Sequence, residues 1–194
     1  GPKWLGMPEP GTRALLPQVL TYLAGWILAL VGFHASVLLA TAGLVLVAAA
    51  WSSLAWKFTD LWRRSRARDK AHATVVTIAC LFGVLALWLI AGGLAFGLDT
   101  LVRTATQAAL WMFIATVFAT VSHRMIPFFS ASALPVLDAW RPMWLLWSMV
   151  SILWLEGLSA VLDLWLWPLP GALRWLQVAV EAPAGALMLW LAIR

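Results

Sequence analysis

The stretch ATVVTIACLFGVLALWLIAGGLAFGL, residues 73–98, contains no charged side chain. At about 1.5 Å of rise per residue, roughly 20 apolar residues cross the ~30 Å hydrocarbon core of a bilayer, so this stretch spans one with residues to spare. Comparable runs lie at about 15–34 and 36–56 before it, and at about 104–122, 143–165 and 172–193 after it. The 194 residues are 63% hydrophobic and 11% charged, with a mean hydropathy of +0.91. Soluble domains run nearer 45–50% and about 25%. The expected fold is therefore all-α, a single polytopic transmembrane helical domain of about six helices over residues 1–194, with room only for short loops.

The close join around Gly32 to Ser36 makes the first two spans an antiparallel hairpin. Gly92 and Gly93 suit a close helix approach. Asp99 to Arg103 and the Pro168/Pro170 pair read as turns. A longer loop holding Pro127, Pro135 and Pro142 is expected after the fourth span, because proline and the residue before it disfavour continued helix. Trp51, Trp56, Trp62, Trp140, Trp144, Trp165, Trp167 and Trp175 fall near run ends, where amphipathic rings settle among headgroups.

Six spans put Lys3, Arg13, Lys57, Arg63, Arg64, Arg66, Arg68, Lys70, Arg124, Arg141 and Arg194 on one side and only Arg103 and Arg174 on the other. Cytoplasmic loops are enriched in Lys and Arg, so both chain ends, the 57–72 stretch and the 123–142 loop are expected inside. The same segregation accounts for a pI near 10.4 without nucleic acid as a partner; the partner expected is the lipid bilayer. Cys80, the single cysteine, sits within an apolar run, rules out an intrachain disulfide or a cysteine metal cluster, and reads as a small buried hydrophobe. The sequence holds no Gly-rich phosphate loop, HExxH, paired-Cys motif or nucleophile elbow, which leaves the common soluble-enzyme chemistries without a carrier.

The candidate chemistry lies in SHRMIPFFS, residues 122–130, where His123, Arg124 and Met125 bring an imidazole, a guanidinium and a thioether to the end of the fourth span. These groups can serve haem or a metal; they also suit an ordinary cationic helix end closed by proline. His72, at the start of the third span, falls on the same side and can approach His123. His34 lies a membrane thickness away, so a metal held by His34 needs other partners. Glu156 and Glu181 fall mid-span, where a carboxylate costs on the order of 2.5–3.5 kcal/mol and rarely faces lipid. They suit a proton or ion relay, an orienting partner for a ligating histidine, or a protonated hydrogen bond within the bundle. Thr116, Thr120 and His123 share a helix face, either as a polar path or with the hydroxyls bonded to backbone. Asp163 and Arg174 flank one turn and are expected to pair.

Residues 122–130 together with ALP at 133–135 and AWRPMWLLW at 139–147 resemble the NnrS family of bacterial inner-membrane proteins, above all in Arg124 to Phe129. GPKWLG at 1–6 is similar to the start of the loop that follows that family's first helices, which implies an internal segment of a longer chain, completed by upstream helices or other membrane subunits. The resemblance implies a multi-pass protein of the bacterial inner membrane that contains haem and copper and protects against nitric oxide stress. It directs attention to His123, Met125, His72 and Arg124 as cofactor contacts. Two other classes stay open, a proton or small-solute transporter built on Glu156 and Glu181, and a structural membrane subunit.

Overall fold

One extended residue, Ser36 (φ −165°, ψ 145°), separates the first two helices, and its Oγ accepts the Leu39 N–H at 3.2 Å to cap the second. Ser36→Ala is expected to lower stability by about 1 kcal/mol in detergent unfolding, with Ser36→Asp close to wild type. The computed structural model describes residues 11–67, 69–133, 142–167 and 170–193. In order these form α1 (Thr12–Ala35), α2 (Val37–Arg64), α3 (Ala71–Ala95), α4 (Asp99–Ala108), a π-helical segment (Ala109–Ala115), α5 (Thr116–Ala133), α6 (Met143–Trp165) and α7 (Gly171–Ile193). No strand occurs among the described residues. From α4 through the π segment to α5 the helix is unbroken, so six rods correspond to the six expected spans. Five stretches are long and apolar enough to cross a membrane: Arg13–Ala35, Val37–Arg64, Ala71–Ala95, Asp99–Met125 and Met143–Trp165. The sixth rod, α7, carries Arg174, Gln177 and Glu181 and packs on α6.

The bundle is built with small residues inside and large ones outside. Ala29, Ala40, Ala48, Ala79, Ala86 and Ala91 are buried, while Leu38, Phe96 and Phe118 are more than 70% exposed. Lipid is as apolar as leucine, so helices gain nothing by hiding large side chains from it and associate instead by close backbone approach. The α1–α2 hairpin is the tightest case. Gly32 faces the backbone of Ala40, and Gly43 faces the backbone of Ala29. This small-residue seam is visible in the sequence at helical spacing, yet the pair singled out there was Gly92-Gly93. Gly93 does pack on Val102, whereas Gly92 meets open space.

Neighbouring helices run antiparallel. Lys57 Nζ donates to the Ala14 carbonyl at 2.8 Å, and Trp165 Nε1 donates to Thr104 Oγ1 at 2.9 Å, each tying the start of one helix to the end of another. Arg13, Lys57, Arg63, Arg64, Arg66, Lys70 and Arg124 gather toward one end, and Arg103 and Arg174 start helices at the other.

Several expectations are corrected. Residues 57–72 are not a long loop: α2 continues to Arg64, helped by the Arg64–Asp60 pair at 2.8 Å one turn apart, and α3 begins at Ala71. Asp99 to Arg103 form the first turn of α4 rather than a turn between helices; the reversal falls at 96–98, where Gly97 takes φ +65°. Helix also persists past Pro127 to Ala133, although a proline inside a helix both leaves the carbonyl four residues back without its ladder donor and crowds it. Trp51 is not an interface anchor: it lies against Tyr22 and Phe113 and donates to the Cys80 carbonyl at 3.3 Å. The Gly1 to Gly6 stretch, Lys3, Arg68, Pro135, Trp140, Arg141, Pro168 and Arg194 lie outside the described residues.

Candidate functional site

The α2–α3 connection fixes the start of α3. Lys70 Nζ reaches the carbonyls of Ser65 and, at 3.3 Å, Trp62; Asp69 Oδ1 accepts the Ala71 N–H at 3.2 Å; and Trp62 Nε1 donates to Thr74 Oγ1 at 3.0 Å. These contacts hold His72, the second residue of α3, against α5.

His72 Nε2 lies 3.0 Å from His123 Nδ1, with ring centroids 5.2 Å apart and planes 32° from parallel. Both residues are buried, at 7% and 5% exposure. His123 Nε2 is 3.2 Å from the carbonyl of Pro142, the residue that leads into α6. A carbonyl only accepts, so His123 Nε2 carries the proton, and in the neutral ring Nδ1 is then bare and accepts from His72 Nε2–H. Three helices thus meet at one directed chain, from His72 through His123 to Pro142. Val75 on α3 and Leu146 and Val150 on α6 form a buried apolar cluster with Trp154, one turn from His72 and from Pro142.

The other candidates distribute as follows. Arg124 and Met125 are half-buried and lie about 100° and 200° around α5 from His123, so the Met125 thioether is not on the His72 side. His34 is exposed in the last turn of α1, beside an open depression lined by Phe33, Ser36 and Leu94, at the opposite end of α2 from the connection that precedes His72. Thr120 Oγ1 donates to the Thr116 carbonyl at 2.7 Å and Thr116 Oγ1 to the Trp111 carbonyl at 2.9 Å, so the hydroxyl protons serve the backbone. Glu156 and Glu181 are half-buried and near enough to interact electrostatically across α6 and α7, and Glu181 Oε1 is buried without a hydrogen-bond partner among the described residues. They stand apart from the histidines, since Glu156 is roughly 20 Å along α6 from Pro142. Arg174 lies 5.3 Å over the Trp167 ring and makes no ion pair with Asp163 among the described residues. Cys80 is a half-buried free thiol. Among the described residues, no three His, Cys, Asp or Glu side chains gather as a metal-binding group.

Neither the curated proteins nor the solved structures give a match. A family model described as "NnrS protein" matches residues 1–194, the full length of the sequence. With that match and five helices able to span a membrane, the chain is a membrane protein that belongs to the NnrS family.

Proposed function

We propose that this chain serves nitric oxide tolerance in the bacterial inner membrane, with its basic end toward the cytoplasm, and that His72 and His123 hold a metal ion there. The observation that carries the reading is the 3.0 Å separation of His72 Nε2 and His123 Nδ1. Metal–nitrogen bonds of about 2.0–2.1 Å put two adjacent ligands of one ion roughly 3 Å apart. The Pro142 carbonyl supports the same assignment, since a ligating histidine usually donates its second N–H to such an acceptor, which fixes the ring and frees the ligating nitrogen. Copper, which the family resemblance implies, suits imidazole nitrogen, and an ion held here would supply a position for nitric oxide to bind. Two histidines alone leave further ligands to come from solvent, from the rest of the protein or from other subunits.

Haem fits the pair poorly. Two ring nitrogens only 3.0 Å apart are too close together to hold one haem iron from its two faces. The Met125 thioether lies on another face of α5. Cells carrying the full-length protein with His72→Ala or His123→Ala are expected to lose most of their growth advantage under nitric oxide, with wild-type levels of membrane-inserted protein. Undiminished tolerance in both variants would overturn the reading.

A second reading, movement of protons or a small solute, is favoured by Glu156 and Glu181, two mid-helix carboxylates near enough to interact electrostatically. It predicts liposome flux that collapses on Glu156→Gln and is indifferent to His123→Ala.

A further inference from the structure

The pairing of the histidines depends on the phase of a helix that is interrupted seven residues upstream of His123. Ser52, Thr59, Thr77, Thr106, Thr120 and Ser148 each donate to the carbonyl four residues back, as hydroxyls in regular α-helix do. Thr116 instead donates to Trp111, five residues back, at the end of the π segment Ala109–Ala115. Its oxygen also accepts Trp154 Nε1 from α6 at 3.0 Å, and the residue has 0% exposure. The hydroxyl is therefore committed in both directions, inside its own helix and to a neighbour.

Around this point the packing is close on both sides. A Cβ on Gly83 of α3 would lie 2.7 Å from the Phe113 ring, and one on Gly157 of α6 would lie 2.8 Å from Trp111 Cβ. Phe82 meets the Trp154 ring edge-on at 5.2 Å. Upstream, Gly93 against Val102 anchors α4 on α3. A π turn adds one residue to the helical register, so its collapse to α would turn everything downstream by about 100° and shift it by about 1.5 Å. With α4 anchored, a rotation of that size carries the His123 ring off the His72 side.

We propose that Thr116 is a positioning residue for the His72–His123 pair: its hydroxyl, shared between the Trp111 carbonyl and the Trp154 indole, holds the π turn that aims His123 at His72. The proposal takes the pair as the functional centre described above, but its test needs no metal. Histidine-selective ¹⁵N NMR of the purified, metal-free chain in nanodiscs reads the N–H···N coupling between the two rings directly. Thr116→Val is expected to abolish that coupling while helix content by circular dichroism is unchanged, and Thr116→Ser, which restores the hydroxyl, is expected to restore it. Coupling retained in Thr116→Val, or still lost in Thr116→Ser, would overturn the proposal. Where Thr116→Val does not fold, Thr116→Ala removes the same hydroxyl without adding bulk, and loss or retention of the coupling there decides in the same way. A wild-type chain that shows the coupling but takes up no metal would sink the metal reading and leave this one standing.

Discussion

Gly43→Val is expected to destabilise the bundle by about 3 kcal/mol, at the upper end of what overpacking costs. A Cβ at this position would lie 2.7 Å from both Ala29 Cα and the Gly25 carbonyl oxygen. Those are backbone atoms of α1, which cannot turn aside as a side chain can, so the helices must separate along the seam that holds the hairpin. The expected observation is a matching fall in the free energy of unfolding in detergent micelles, followed by circular dichroism. Gly92→Ala is the control. Nothing lies within 4 Å of that position, and alanine is a better helix former than glycine by up to about 1 kcal/mol, so the control should match or exceed wild type. Equal stability of Gly43→Val and wild type would show that the small-residue seam does not set the α1–α2 distance.

His123→Leu is expected to cost about 1–3 kcal/mol, because it takes away the acceptor of the buried His72 N–H that faces it. His72→Leu carries a similar penalty through the bare Nδ1 of His123. The double variant should be less destabilised than the sum of the two, since removing both partners removes the unmet polar groups as well. Additive losses in the double-mutant cycle would mean that the rings do not interact as described.

The spans were legible in the sequence because chain length against bilayer thickness leaves little freedom, and the Lys/Arg segregation fixed the pairing of helix ends. Topology alone therefore brought His72 and His123 to the same end of the bundle. Three features were harder to read. Pro127 looked like a stop, but proline disfavours continued helix without forbidding it, and the helix runs on to Ala133. The extension of α2 to Arg64 was hidden by charge, since Asp60 and Arg64 at one-turn spacing are as compatible with helix as with loop. The π segment has no compositional signature at all. It depends on Trp154, 38 residues beyond Thr116, and on Gly83 and Gly157 making room on the two flanking helices. The same non-locality hides the histidine tautomers from the sequence, since they follow from a carbonyl 19 residues away. It also explains Trp51, whose place near a run end suggested an anchor although its partners are Tyr22, Phe113 and the Cys80 carbonyl inside the bundle.

The most direct test of the central claim is metal analysis of the purified protein, reconstituted with copper, as wild type and as His72→Ala and His123→Ala. The account predicts stoichiometric copper in wild type, with a nitrogen-ligand signature by electron paramagnetic resonance after oxidation, and loss of most of that copper in each variant. Equal copper content and an unchanged signature in all three proteins would contradict it.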